Sequence, residues 1–178
     1  MMAIPRILLV KNGCPPGWIR SERPSGGWCI KVFAGAFIRD AADLKCREQG
    51  AVLSGLKDSA EIEKITDSAR LIFSPNPINI LWIGAKRIAR CLRAPPSTGC
   101  NWSNAFEWTD GVTTGREGFI WNTGQPDNRG LRQGCSTLMV LMGPTIRTYN
   151  LFYNGRLDDN DCPYPVNGYV CGKHAIRN

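Results

Sequence analysis

Residues 14–33 read CPPGWIRSERPSGGWCIKVF. Two strand-like runs, one around Trp18 and one around Trp28, flank Ser25-Gly26-Gly27, and those residue types favour a turn. Cys14 and Cys29 bracket the pair, so the stretch reads as a β-hairpin closed by its own disulfide. A domain that opens on a cross-linked hairpin belongs to a particular class of chain, and the remaining cysteines define it.

The chain has eight cysteines, at positions 14, 29, 46, 91, 100, 135, 162 and 171. An even number spread along the sequence suits a disulfide framework formed in an oxidising compartment. Zinc is the competing use of thiols, but no pair has the C-x-x-C spacing that zinc sites favour. The one histidine, His174, lies near the C-terminus and reads as a solvated residue. Eight cysteines allow 105 pairings, and spacing alone does not choose among them.

After the hairpin, Asp40 to Gly50 carries helix punctuation at both ends. Asp40 is placed to cap the first turn and Gly50 to supply the left-handed stop. A second helix is expected from Asp58, where Asp58 and Glu61 have capping-box spacing. Ile62, Ile65, Ala69 and Ile72 then recur every three or four residues, as one buried face requires. From Leu81 the pattern changes to short strands. Leu81-Trp82-Ile83-Gly84, Phe106-Glu107-Trp108, Ser136 to Met142 and Tyr169 to Lys173 are the strand candidates. Asp110-Gly111 and Asn154-Gly155 are hairpin-turn signals. Two helices followed by many short strands predict an α+β domain, with long structured loops between residues 84 and 134.

The 178 residues suit one domain with a real core, and 43% hydrophobic residues with six tryptophans argue against disorder. No run approaches the roughly 18 apolar residues that span a bilayer. The net charge of +7 draws on Lys86, Arg87, Arg90, Arg93, Arg129 and Arg132, which read together as a solvated basic face. No nucleic-acid motif accompanies them. Asn101-Trp102-Ser103 is an N-glycosylation sequon. Residues 1–13 form an N-terminal segment, and their short apolar run Ile7 to Val10 is at most the remnant of a secretory leader. The domain is expected over 14–173, with a tail at 174–178. The cysteines favour a secreted protein.

Residues 124–130 read GQPDNRG. Taken alone, Gln125-Pro126-Asp127-Asn128 is either a surface turn or half of a site for a metal ion and a sugar.

The order of parts resembles a C-type lectin-like domain, particularly its nematode-type members, here with an extra cysteine pair. The features that carry this are Cys14-Pro15-Pro16-Gly17-Trp18, Trp28-Cys29, Cys46 on its helix and Trp82-Ile83-Gly84. They continue with Trp108-Thr109-Asp110-Gly111, Trp121 with Gln125-Pro126-Asp127, then Cys135, Leu157-Asp158-Asp159, Cys162 and Cys171. The resemblance spans residues 14–173. It implies disulfides Cys14–Cys29, Cys46–Cys171 and Cys135–Cys162, and leaves Cys91 and Cys100 to pair in an extra loop. It implies packing roles for Trp82, Trp108 and Trp121, and it assigns none to Trp102.

Sugar-binding members of this family hold a calcium ion, which takes about six to eight oxygen ligands. Carried across, Gln125 and Asp127 match the first ligand pair, with a cis peptide before Pro126. Asp158 and Asp159 match the second pair. Gln133 stands where the family places a further acid, and Asp158 where it places an asparagine. An ionised aspartate only accepts hydrogen bonds. Gln125, Asp127, Asp158, Asp159 and Gln133 are thus the expected carbohydrate-binding residues. Gln-Pro-Asp resembles the galactose-preferring form, but Asn128 to Arg132 lack the aromatic residue that usually follows it. Arg129 and Arg132 suggest acidic or sulfated glycans. The resemblance implies a secreted, calcium-assisted lectin with no catalytic residues. The alternative is a calcium-independent domain that binds a protein or an anionic surface.

Overall fold

A computed structural model describes residues 13–143, 145–147 and 151–176. The leader-like run Ile7 to Val10 lies outside them. Among the described residues no helix is long and apolar enough to cross a membrane.

The N-terminal hairpin forms from β1 (Ile19–Arg23) and β2 (Gly26–Phe37). Its register pairs Arg23 with Gly26, so the turn is Pro24-Ser25 and the glycines begin the second strand. The turn thus falls earlier than Ser25-Gly26-Gly27. Proline brings a pre-set φ to that position. Helix α1 spans Arg39–Arg47. Its N-cap is Ile38, without a side-chain cap, and Asp40 sits inside the first turn instead. There its charge still complements the helix dipole. Gly50 adopts φ +63°, and the Ala51 N–H donates back to Cys46 O at 3.0 Å, the left-handed stop the sequence signals.

A short strand β3 (Val52–Leu53) leads to helix α2 (Ser59–Phe73). Asp58 caps it by accepting from Glu61 N at 2.9 Å. The Glu61 carboxylate does not complete the capping box. It turns inward to a buried ion pair with Arg23 at 2.9 Å. Ile62, Ile65, Ala69 and Phe73 form the buried stripe, while Ile72 is exposed. On a 3.6-residue turn, position 73 lies nearer the centre of that stripe than position 72.

The remaining strands are β4 (Ile78–Arg87), β5 (Phe106–Trp108), β6 (Cys135–Leu141), β7 (Thr145–Arg147), β8 (Leu151–Tyr153), β9 (Leu157–Asn160) and β10 (Val166–His174). The main sheet runs β1-β2-β10-β4-β6-β9, with β3 beside β10 and β5 beside β4; β7 and β8 form a separate ribbon. The one parallel pairing among these, β10 with β4, joins the chain's end to its middle. Gly84 permits β4 to pass close to β3, since a Cβ there would meet the Leu53 carbonyl. Two expected hairpins differ. Asp110 closes a local turn by accepting from Val112 N and Thr113 N, and β5 pairs back to β4. Asn154-Gly155 links β8 to β9, but these strands pair with β7 and β6 respectively. A turn signal specifies a reversal of direction, whereas burial selects the partner.

The disulfides are Cys14–Cys29, Cys46–Cys171, Cys91–Cys100 and Cys135–Cys162, as the resemblance implies. Trp82 is fully buried and donates its Nε1–H to Phe37 O at 2.8 Å. The strand β10 continues through His174, whose exposed ring meets Trp28 edge-on, and Ala175 N donates to Gly27 O.

Candidate functional site

The loop at 122–134 and strand β9 do meet. The Gln125-Pro126 peptide is cis. On β9 the side chains alternate between faces: Leu157 and Asp159 are buried, while Asp158 and Asn160 are partly exposed. Asp159 is therefore the residue that faces the loop from within.

Three donors converge on its two oxygens. Oδ1 accepts from Asp127 N at 3.1 Å, and Oδ2 from Asn128 N at 2.8 Å. The Arg87 guanidinium, at the end of β4, donates to the same Oδ2. Asp159 is 0% exposed and Arg87 is 5% exposed, so this is a buried ion pair. Arg87 leaves the basic face expected of it and turns inward, where its guanidinium also lies over the Phe106 ring at 4.7 Å. Burial pushes the Asp159 carboxyl up, opposed by the Asn128 N–H, the Arg87 charge and the Asp127 N–H.

Gln133 completes the arrangement. Its Nε2 donates to the Asp159 backbone carbonyl at 2.9 Å, and its Oε1 accepts from Arg129 N at 2.6 Å. The Arg87 Nε donates to the Gln133 carbonyl at 2.9 Å. Gln125 Oε1 accepts from Asp127 N at 3.0 Å, and Asp127 Oδ1 from Arg129 N at 3.1 Å.

A calcium ion needs about six to eight free oxygens. Here the oxygens of Gln125, Asp127, Asp159 and Gln133 hold backbone N–H groups, and an arginine cation already compensates Asp159. Among the described residues, no group of three or more His, Cys, Asp or Glu side chains is placed to hold a metal ion. In this arrangement the Arg87 guanidinium, rather than a metal cation, faces the Asp159 carboxylate. Of the expected ligands Gln125, Asp127, Asp158 and Asp159, only Asp159 is engaged in an ion pair among the described residues.

Asp158 stands apart. Its carboxyl is pushed up to about 7, by burial first and then by the charges of Asp159 and Asp127. A folded carboxyl with a raised pKa holds its proton to higher pH than the unfolded chain does. Its contribution to stability is therefore full below the ordinary carboxylate range, near pH 4, and is lost as pH rises toward about 7. Asp158→Asn is expected to melt higher than the parent at about pH 8, by about 2–4 °C per kcal/mol relieved, and to match it near pH 4. Identical differences at both pH values in a calorimeter would contradict this.

Sequence reasoning missed two residues, Arg87 and Asn128. Asn128 is buried in the left-handed region with φ 50°. Its Nδ2 donates to Leu92 O at 3.1 Å and Ala94 O at 2.9 Å, tying the loop to the Cys91–Cys100 segment. The signals were an asparagine in a turn, which tolerates this backbone, and an arginine ending an apolar strand. Arg132 pairs with Asp161 at 2.8 Å. Asn101, the sequon residue, donates to Ser97 O and Thr98 O.

Beside Gln125 lies a cavity of about 340 Å³, lined by Trp102, Phe119, Ile120, Trp121, Asn122, Gln125 and Arg156. A larger one of about 410 Å³ runs along α2 and has no aromatic wall. Trp108, Phe119 and Trp121 form a stack, with ring centroids 3.7 and 6.0 Å apart. The packing expected of Trp108 and Trp121 is thus partial, since both are only half-buried.

No family model matches the chain. It is 29% identical to C-type lectin lectoxin-Lio1 of Erythrolamprus poecilogyrus over 132 residues, 73% of this chain and 68% of the relative. Among solved structures, it is similar to the C-type lectin CEL-I of Cucumaria echinata, with TM-score 0.64 and 21% identity over 93% of this chain and 100% of that one. It is also similar to a calcium-independent type II antifreeze protein, with TM-score 0.60 and 24% identity over 92% and 95%. The stapled hairpin, the parallel closure of the last strand onto β4, the cis-proline loop meeting β9 and these likenesses agree: the chain has the C-type lectin-like fold.

Proposed function

We propose that this domain is a secreted glycan-binding protein whose binding loop is held by its own arginine rather than by calcium. The supporting observation is the buried Arg87–Asp159 pair, together with the N–H groups of Asp127 and Asn128 on the same carboxylate. In this reading the ion pair does what a resident cation does elsewhere. It neutralises the acidic strand and fixes the cis-proline loop, which leaves the outer side chains for ligand. Four disulfides fit an extracellular site of action.

A second reading has calcium assist a galactose-type site through Gln125, Asp127, Asp158, Asp159 and Gln133. It is favoured by one observation: burial and the charges of Asp159 and Asp127 raise the Asp158 carboxyl, and neither Asp127 nor Asp158 forms an ion pair among the described residues. A glycan array read in millimolar calcium and again in chelator separates the two. The expected result is the same glycans retained in both, with a melting temperature unmoved by calcium. A ligand of the native state alone must raise stability, by about 2.7 kcal/mol at a hundredfold excess over its Kd. Signal lost in chelator would replace the first reading by the second. Silence in both buffers would remove glycan binding and leave a protein or anionic surface as the ligand.

A further inference from the structure

We propose that the cavity between Trp102 and Trp121 is the sugar-contact site, and that it takes a pyranose carrying a carboxylate or sulfate. This rests on the glycan reading above and gives it a place and a ligand class.

Trp102 is 64% exposed, a large apolar surface that the fold leaves in water. It is nevertheless held firmly. Its carbonyl accepts the Trp121 Nε1–H at 3.0 Å. The segment that bears it follows directly on the Cys91–Cys100 bridge and is pinned by Asn104, whose Oδ1 accepts from Asn101 N and whose Nδ2 donates to Thr98 O. An exposed indole on an anchored backbone offers a face to the apolar C–H side of a pyranose, and two side-chain torsions are all it has to order. The sequence lacks an aromatic just after Gln-Pro-Asp, and Trp102, which follows the extra disulfide loop, lines the cavity beside Gln125 from elsewhere in the chain.

The polar wall is equally specific. Asn122 is 3% exposed. Its Oδ1 accepts from Tyr153 N at 2.9 Å, which fixes the amide, and its Nδ2 has no hydrogen-bond partner among the described residues. A buried donor without a partner costs about 1–3 kcal/mol, and a hydroxyl in the cavity would relieve that cost. Gln125 gives its Oε1 to the loop, which leaves its Nε2 for ligand. Arg156 is exposed, lines the same cavity and forms no ion pair among the described residues. A guanidinium beside stacked aromatics and amide donors selects an anionic sugar over a neutral one. The cavity volume of about 340 Å³ lies at the small end for ligand sites, as one ring requires.

The full chain is titrated with glucuronate, galactose 6-sulfate and galactose at matched ionic strength, followed by indole N–H resonances. The anionic sugars are expected to bind at least tenfold tighter than galactose and to shift the Trp102 signal. Trp102→Ala should weaken them at least tenfold at unchanged melting temperature, because its ring is exposed. Arg156→Gln should bring anionic and neutral sugars to equal affinity. If Trp102→Ala and Arg156→Gln bind as the parent does while the array stays positive, the site is wrong and the glycan reading stands. If the parent binds none of the three sugars and the array is silent, both fall.

Discussion

A Cys46→Ala/Cys171→Ala double variant is expected to lose cooperative unfolding at about 37 °C, whereas Cys91→Ala/Cys100→Ala should retain it. The difference is one of loop length. Cys46 and Cys171 are 125 residues apart in sequence and Cys91 and Cys100 are 9 apart. Constraining the unfolded chain over those spans is worth about 5 and about 2.6 kcal/mol respectively. The first figure is of the order of the whole net stability of a small domain. The bridge also ties α1 to β10, inside a second core cluster with Trp82 and Val166. Melting followed by near-ultraviolet circular dichroism checks the pair. Equal losses in both variants would show that loop length does not govern the effect. The short bridge has a separate consequence, because it holds the segment that presents Trp102. Its loss should reduce sugar affinity more than stability.

Arg87→Ala is expected to cost about 3–5 kcal/mol, since it strands the Asp159 charge in a site with no exposure. Asp159→Asn alone should cost comparably, because the Arg87 charge is then stranded in turn. The double variant Arg87→Ala/Asp159→Asn should cost less than the sum, since no buried charge remains. Denaturant titration gives the coupling. Strict additivity would mean that the two groups do not act as a pair. The same variants report on the loop: the Asp159→Asn amide keeps one acceptor oxygen where the carboxylate offers two to the N–H groups of Asp127 and Asn128. Proteolysis between Gly124 and Gly134 should then accelerate before global unfolding does.

Much of this domain is legible in the residues. Asp58 and Gly50 mark helix ends by local hydrogen bonding, and an N-cap or a left-handed stop needs only a few neighbours. The strands at Leu81 and Ser136 announce themselves by apolar content. The departures share one cause. Ile72 against Phe73, the fate of Asp110-Gly111 and the strand partners of Asn154-Gly155 all depend on what the rest of the chain buries. The candidate site divides along the same line. Gln125, Asp127 and Asp159 are found from motif and register, and the loops that carry them do come together. Their roles are not found that way, because a carboxylate's partner is chosen by distance in space.

The sequence by itself determined the cross-linked α+β domain, since cysteine count, helix caps and hydrophobic period act over short spans. Only the tertiary structure decided that Arg87 turns inward to Asp159, 72 positions away, and that Trp102 arrives beside Gln125. Desolvation and the balance of buried charge are properties of a packed interior, and no local stretch of chain contains them.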